Sequence, residues 1–489
     1  MSNYLIVPLA GYGKRFIRAG YKDLKPFLKI NKKENMIDAI LKNFPSEFKK
    51  IFIVRANIQK KYLDVLKKYK NSKIYFIKGH NLGPLFTVYK IKNKIPNLKN
   101  IFISYCDIHW IWRRKNFNSL KSNTIFCYKG WHPFTSNNNN YAFCKTVKSN
   151  VIQVREKGSF TKNWQKENLS IGLFFYKKSS EMFDAMEKIV KRNIRVNKEF
   201  FPSLAYNFIK NKKALDVKNF VHIGKPDYFE IFKKWDNYSK LKNKFKKNIK
   251  KTYLADKIII PAAGLGKRFL KEKIKTPKFL CKASYNNEFM INLIKNFLTQ
   301  KNTINLITLK KYKFLEKKFK LHILNSLSKG QADTVYKILS DIKYDESLFI
   351  NSCDNFSLFD VNLYKKLIKK SDILVFITNN FETDNSTSEG TWVKSKKNKI
   401  QKIIFKKPKI KKSSRLTGNF YFRSKKIFNK CYFEAINKGY GKEIYIDNLI
   451  EEALKMKLKV SCIHDDVYVN MGTPKLLKEF NFWDKYFNE

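Results

Sequence analysis

The sequence predicts an α/β protein made of two homologous halves, each a mostly parallel, mixed sheet flanked by helices. Three observations predict it. A twelve-residue segment near the start returns in the middle of the chain, and further matches follow it in the same order. Short apolar runs alternate with longer amphipathic stretches through each half. The 489 residues, 43% hydrophobic and 15% aromatic, are too many for one ordinary core and apolar enough to build more than one.

The repeat sets Leu5-Ile-Val-Pro-Leu-Ala-Gly-Tyr-Gly-Lys-Arg-Phe16 against Ile258-Ile-Ile-Pro-Ala-Ala-Gly-Leu-Gly-Lys-Arg-Phe269. Gly11 matches Gly264, Arg15 matches Arg268 and Lys25 matches Lys278, all at an offset of 253. Thr87-Val88-Tyr89 then matches Thr334-Val335-Tyr336, and Cys106-Asp107 matches Cys353-Asp354. Lys198-Glu199-Phe200, Gly224-Lys225-Pro226 and Trp235-Asp236 find Lys442-Glu443-Ile444, Gly472-Thr473-Pro474 and Trp483-Asp484. Offsets stay between 244 and 253, so loops differ in length while the order of elements holds. The expected domains are residues 1–238 and 255–489, joined by a basic linker over 239–254. Its lysine-dense sequence, LKNKFKKNIKKT, fits a helix or a solvated connection equally.

Within the first half, YLIVPLA, KIFIVRA, KIYFIKG and NIFISYC read as strands. Met36–Asn43 and Gln59–Tyr69 read as helices between them. The longest apolar runs, Ile258–Gly266 and Ile373–Thr378, are strand-sized, and none approaches a membrane span. Strand–helix alternation places ligands beyond the carboxyl ends of the strands. The glycine segments follow the first strand of each half, and Asp107 and Asp354 follow a later one.

Composition narrows the function. Seven scattered cysteines without a CxxC pair read as reduced thiols, and six histidines show no zinc spacing. The first residues lack the charge and apolar block of a secretory signal, so a cytoplasmic protein is expected. The net charge of +61 is spread along the whole chain and reads as a solvated surface that attracts anionic substrates. No nucleic-acid module signature accompanies it, so no specific nucleic-acid partner is expected.

The motifs point to phosphate chemistry. Glycines after a strand let backbone N–H groups approach phosphate oxygens, and an arginine adds fixed charge-assisted hydrogen bonds. Gly11-Tyr12-Gly13-Lys14-Arg15 and Gly264-Leu265-Gly266-Lys267-Arg268 are neither GxGxxG nor a Walker loop. Each is followed by Lys-Pro-Phe or Pro-Lys-Phe, and the combination occurs twice. A strand-end carboxylate facing phosphates, as at Asp107 and Asp354, is a natural Mg²⁺ ligand.

Pro-x-Ala-Gly-x-Gly-x-Arg-Phe followed by Pro-Lys or Lys-Pro resembles the nucleotidyltransferases that activate sugar phosphates and phospho-alcohols. The resemblance covers both halves and is nearest to a bacterial subgroup associated with surface polysaccharide, some members of which use CTP. It implies two Rossmann-like nucleotidyltransferase domains. Ala10, Gly11, Gly13 and Gly83, with Ala263, Gly264, Gly266, Gly330 and Gln331, would then hold the nucleotide. Arg15, Lys25, Arg268 and Lys278 would clamp its phosphates, and Asp107 and Asp354 would hold Mg²⁺. Many relatives carry a second metal Asp where this chain has His222 and Asn470, which are weaker ligands for that ion. The acceptor would meet Glu156, Lys157, Gly172 and Glu199 in the first half. In the second it would meet Lys407, Gly418, Asn419 and Glu443. Glu156-Lys157 is matched there by Lys406-Lys407, so the carboxylate is lost and the acceptors are expected to differ. Gly172 and Gly418 are expected just before the aromatic strands LFFY and FYF.

The implied reaction is attack of an acceptor phosphate on the α-phosphorus of an NTP, with CTP weakly favoured, and release of pyrophosphate. The acceptor is already anionic, so no general base is required. Two alternatives stay open. A glycosyltransferase of similar fold would usually show Asp-x-Asp, which Cys106-Asp107-Ile108 and Cys353-Asp354-Asn355 lack. One half, alternatively, is a binding or oligomerising module, and a homo-oligomer is compatible with either reading.

Overall fold

Tyr4–Pro8 pairs in parallel with Lys49–Arg55 on one side and Lys99–Ser104 on the other. Leu5, Ile6 and Val7 are fully buried, as expected of a strand covered on both faces. Side chains alternate between two cores. Ile6, Ile53 and Ile103 pack with Leu85, Val88, Met182 and Ile189. Leu5, Val7, Phe52 and Phe102 pack with Ile37, Ile40, Tyr62 and Leu66. Burial of each such side chain contributes about 1.5–3 kcal/mol.

This computed structural model describes residues 2–95, 97–112, 114–134, 140–298, 303–379, 390–407, 413–440 and 443–488. The first sheet runs in the order Ser72–Ile77, Lys49–Arg55, Tyr4–Pro8, Lys99–Ser104, Asn168–Lys178, Asn123–Tyr128, Lys212–Asp216, Asn150–Arg155, Phe143–Val147. Its first four strands are parallel, and Asn168–Lys178 runs against both of its main neighbours. The second sheet follows the same order: Lys320–Leu324, Ile304–Leu309, Lys257–Pro261, Leu348–Asn351, Ser414–Phe422, Ile373–Thr378, Val460–Asn470, Lys399–Lys407, Gly390–Lys396. The fold class is the expected one, a mixed sheet flanked by helices in each half. The strands read from the sequence are found within one or two residues, and so are the helices, as Met36–Leu41 and Lys60–Lys67.

The chain divides into two units, Met1–Lys233 and Lys234–Glu489. The division falls inside one continuous helix, Pro226–Lys250. Residues 239–250 of the expected linker are therefore helical and lie in the second unit. Within that unit Trp235 stacks on Trp483, its partner in the repeat, with ring centroids 6.3 Å apart. Trp235 Nε1 donates to Glu479 at 3.1 Å, and Lys242 Nζ donates to Asp484 at 3.0 Å. Among the described residues no helix is long and apolar enough to cross a membrane.

Gly172 and Gly418 correct the sequence reading. Both lie inside strands, Asn168–Lys178 and Ser414–Phe422, rather than before them. At Gly172 the pairing with Asn123–Tyr128 shifts register, φ is +86°, and the ring of Tyr105 fills the space a side chain would need. A bulge at a glycine is invisible to a period-two pattern, which simply breaks there.

Candidate active site

The first strand ends at Pro8, and the chain turns through Gly11 and Gly13 into the short helix Lys14–Arg18. Gly13 is left-handed, with φ 63° and ψ 26°, and Gly266 repeats this with φ 67° and ψ 36°. Phe16, buried under the helix against Tyr21 and Phe229, fixes its direction. Arg15 is left exposed on the rim of a cleft of about 550 Å³. Tyr12 borders the same cleft, with the Arg55 guanidinium 4.6 Å from its ring centre.

Lys25 opens the turn Lys25–Phe27, whose Pro26 and Phe27 are buried, with Phe27 stacked on Tyr62. That anchoring aims Lys25 at the end of the strand Lys99–Ser104, where its Nζ donates to Asp107 Oδ2 at 3.0 Å. His222 ends the strand Asn219–His222, which pairs with Ile108–Ile111 so that His222 faces Ile108. Its Nε2 comes within 3.0 Å of the same Asp107 oxygen. Burial opposes a charge on Asp107, but Lys25 and His222 outweigh it and hold the carboxyl well below the usual carboxylate range. Burial likewise opposes the charge on Lys25, and Asp107 overcomes it and raises the amine's pKa.

The second half repeats the core of this arrangement. Lys278, in the turn Lys278–Leu280, donates to Asp354 Oδ2 at 2.7 Å. Asn470 ends the strand Val460–Asn470 and pairs with Asn355, one residue beyond Asp354. Asn470 Oδ1 accepts from Gly472 N at 2.9 Å, and a Cβ on Gly472 would crowd Asp354 Oδ2 at 2.8 Å and Asn470 Oδ1 at 3.0 Å. Arg268 is exposed beside its glycine loop, as Arg15 is.

Gly83 and Gly330 stand where the helices Gly83–Tyr89 and Gln331–Leu339 begin. In each half a distant segment clamps this point. Phe200 N donates to the Leu82 carbonyl, and Leu85 N donates to that of Phe200. Ile444 N donates to Lys329, and Ala332 N donates to Ile444. The clamp places Glu199 at the cleft and brings Glu443 within 3.9 Å of the Lys267 amine. Gln331 Nε2 donates to Ser352 Oγ, which in turn donates to the Gly418 carbonyl. Asn419 is buried, and its Oδ1 has no hydrogen-bond partner among the described residues.

Glu156 follows the strand Asn150–Arg155 at the cleft wall and accepts a hydrogen bond from Ser203. Burial pushes its pKa up to about 7, with Ser203 and Lys157 pulling the other way. Lys157 lines the cleft with its amine 4.8 Å from the Phe201 ring centre. Lys407 closes the strand Lys399–Lys407, but its side chain and that of Lys406 lie outside the described residues, as do Gly441 and Lys442.

In the first half, then, one cleft gathers Gly11, Gly13, Arg15, Lys25, Gly83, Asp107, Glu156, Lys157, Gly172, Glu199 and His222. Ala10 is buried just behind the loop, as Ala263 is in the second half. Sequence reasoning missed Tyr105, Ser203 and Lys225, which also line the cleft. Lys225 sits in the Gly-Lys-Pro match and was legible by position; Ser203 carries no motif.

The donor sets differ in their fit to a divalent ion. Among the described residues no group of three or more His, Cys, Asp or Glu side chains is placed to hold one. An Mg²⁺ that arrives on a triphosphate needs only one or two protein oxygens. Asp354 and Asn470 supply hard oxygens of that kind, engaged here by Lys278 Nζ and Gly472 N. Asp107 and His222 offer one hard oxygen and one imidazole.

No family model matches this chain, and no curated protein matches it. Three solved structures each align with about half of it. A nucleoside-diphosphate-sugar pyrophosphorylase from Vibrio cholerae RC9 is 18% identical, with 47% of this chain and 98% of that one covered and a TM-score of 0.38. A putative glucose-1-phosphate thymidylyltransferase from Bacillus anthracis is 19% identical over 47% and 98%, with a TM-score of 0.37. The inositol-1-phosphate CTP transferase from T. maritima is 17% identical over 48% and 98%, with a TM-score of 0.36. Similarities of this size do not bear on what the chain does.

Proposed function

We propose that the chain is a bifunctional nucleotidyltransferase. Each half transfers a nucleoside monophosphate from an NTP to a phosphorylated sugar or alcohol and releases pyrophosphate. The observation that carries this reading is the recurrence, in both halves, of a glycine loop with its arginine and a lysine paired to a strand-end aspartate. The loop N–H groups, Arg15 or Arg268, and Lys25 or Lys278 take up the phosphates. Asp107 or Asp354 keeps the lysine charged and oriented. In the second half Asp354 and Asn470 would hold Mg²⁺, which neutralises phosphate charge when bound. Glu156, Lys157, Gly172 and Glu199 form the first acceptor wall; Lys407, Gly418, Asn419 and Glu443 form the second. Rate enhancement then rests on alignment and charge neutralisation. From the resemblance in sequence we expect the products to be activated precursors of surface polysaccharide and take CTP as the first nucleotide to try. It also makes the cytoplasm the expected compartment.

Pyrophosphate release with each of the four NTPs, Mg²⁺ and a panel of sugar 1-phosphates and phospho-alcohols tests this. Turnover with at least one pair is expected. Silence across a broad panel, with NDP-sugars consumed instead, would turn the reading to glycosyl transfer.

The Glu156 carboxyl adds a pH signature. With a pKa near 7, it is mostly neutral at pH 6 and mostly charged at pH 8. A charged Glu156 repels an anionic acceptor, so KM for the first-half acceptor is expected to rise several-fold across that interval. Glu156→Gln should flatten the rise at pH 7 and leave only the titration of the acceptor phosphate, which lies near pH 6. An unchanged profile in the variant would remove Glu156 from the acceptor site.

A further inference from the structure

The acceptor walls of the two halves differ by an exchange of side chains. Phe200 and Ile444 make the same pair of backbone hydrogen bonds in the clamp, so they correspond. Ser203 and Asp447, each three residues on, both stand second in the helix that follows, Pro202–Ala205 or Ile446–Lys455. A second register comes from Gly172 and Gly418, whose carbonyls accept from Tyr105 N and Ser352 N, each two residues before its aspartate. Leu169 therefore matches Arg415, and their cross-strand partners Phe143 and Trp392 match in turn. That sets Thr391 in the place of Ala142. Ala142, Glu156 and Ser203 all line the first cleft. We infer that Asp447 supplies the acceptor-binding carboxylate of the second half, and that the acceptor there is a polyhydroxylated phosphate rather than a cationic phospho-alcohol. The inference rests on the nucleotidyltransferase reading of that half.

In the first half the strand supplies the carboxylate and the helix the hydroxyl, with Ser203 donating to Glu156. In the second half the matching strand end, Ile404-Phe405-Lys406-Lys407, carries no carboxylate. The helix supplies one instead, and a strand supplies the hydroxyl: Thr391 Oγ1 donates to Asp447 Oδ2. The hydrogen-bonded pair is kept while its members change sides. A helix dipole alone favours an acidic residue in the first turn. It does not account for the loss of the strand carboxylate and the gain of Thr391 that accompany Asp447. Asp447 stays partly exposed. Desolvation raises its pKa, while Thr391 and the charge of Arg415 pull the other way. A carboxylate has lone pairs left over from Thr391 with which to accept from ligand hydroxyls. The Arg415 guanidinium offsets the pull that an isolated carboxylate would exert on a cationic head group, which leaves neutral hydroxyls as the favoured partners.

The test follows pyrophosphate release in full-length Asp107→Ala, in which the first half is silenced. The four NTPs are paired with aldose 1-phosphates, alditol phosphates and the cationic phosphocholine. Turnover is expected with an aldose or alditol phosphate and not with phosphocholine. Adding Asp447→Ala should raise KM for that acceptor about ten- to a hundredfold, the worth of one hydrogen bond to a charged group, and leave KM for the NTP unchanged. Asp447→Asn still accepts a hydrogen bond and should recover part of the loss. Thr391→Val cuts the tie between strand and helix but keeps the carboxyl, so it should cost less than Asp447→Ala. Equal losses in those two variants, or a KM for NTP that rises with that of the acceptor, would make Asp447 a structural tie and overturn the inference. An unchanged acceptor KM, or a preference for phosphocholine, would overturn it too. If no pyrophosphate is released, calorimetry with α,β-methylene NTP analogues decides. Acceptor bound beside the nucleotide, and lost in Asp447→Ala, upholds the inference. Nucleotide bound without any acceptor of the panel overturns the inference alone. No nucleotide bound overturns the nucleotidyltransferase reading and the inference with it.

Discussion

Gly83→Ala is expected to destabilise the first unit by about 2–6 kcal/mol, whereas Gly11→Ala leaves stability unchanged and weakens nucleotide binding. The two glycines border the same cleft but for opposite reasons. Gly83 has φ +88°, and an added Cβ would lie 2.7 Å from the Phe200 carbonyl oxygen and 2.9 Å from both Glu199 Cβ and Phe200 N. The neighbours are mostly backbone, already committed to the clamp on the helix, so they cannot swing away. Strain at a positive φ costs about 1–3 kcal/mol, and overpacking costs about as much again. A Cβ on Gly11 meets no atom within 4 Å. Its absence is not needed for folding, which leaves the close approach of a ligand as the use for a glycine there. Hydrogen exchange read peptide by peptide measures the first effect across the first sheet, and calorimetric titration with NTP measures the second. Stability within about 0.5 kcal/mol of the native protein in Gly83→Ala would show that the clamp yields. Unchanged affinity in Gly11→Ala would remove the loop from the phosphate site.

The same contrast explains what was legible in the sequence. Gly11, Arg15, Lys25 and Asp107 were readable because they return as Gly264, Arg268, Lys278 and Asp354 at strand ends, and a strand end shows as an apolar run followed by glycine or aspartate. The sheet was readable because covered strands such as Tyr4–Pro8 are continuously apolar. The clamp on Gly83 was not. It joins Leu82 to Phe200 through backbone bonds that any residue can make. The approach of His222 to Asp107 depends on a four-residue ribbon, Asn219–His222 on Ile108–Ile111, too short to carry a periodicity. Gly172 was misplaced because the bulge interrupts the alternation that marks a strand. The basic stretch after Tyr238 looked like a linker because Lys dominates it, yet Phe245 and Ile249 recur at helical spacing and are buried.

Asp107→Ala and Asp354→Ala are each expected to lower pyrophosphate release by about 10²–10³-fold, and each for a different substrate pair. Removing one preorganised charged contact from a phosphoryl-transfer site has this magnitude. Here the loss is compounded, because the lysine paired to the aspartate at 3.0 Å or 2.7 Å loses the partner that orients it. Some loss of stability should accompany it, since the aspartates are only 10% and 17% exposed and removal leaves a largely buried lysine unpaired, so circular dichroism is read beside the kinetics. The conservative variants Asp107→Asn and Asp354→Asn separate the roles. An amide can still accept from the lysine but carries no charge, so an unpaired electrostatic requirement leaves them as inactive as the alanine forms. If the lysine's orientation is what matters, they recover most activity. The pattern across substrates decides the division of labour. Different pairs lost in the two single variants mean two active sites with distinct acceptors, as the change from Glu156 to Lys406 implies. One variant silent and the other fully active would instead make one half a binding module. In that case its Lys–Asp pair has been retained for holding a nucleotide rather than for turning it over, and calorimetry on the silent half should still find NTP bound.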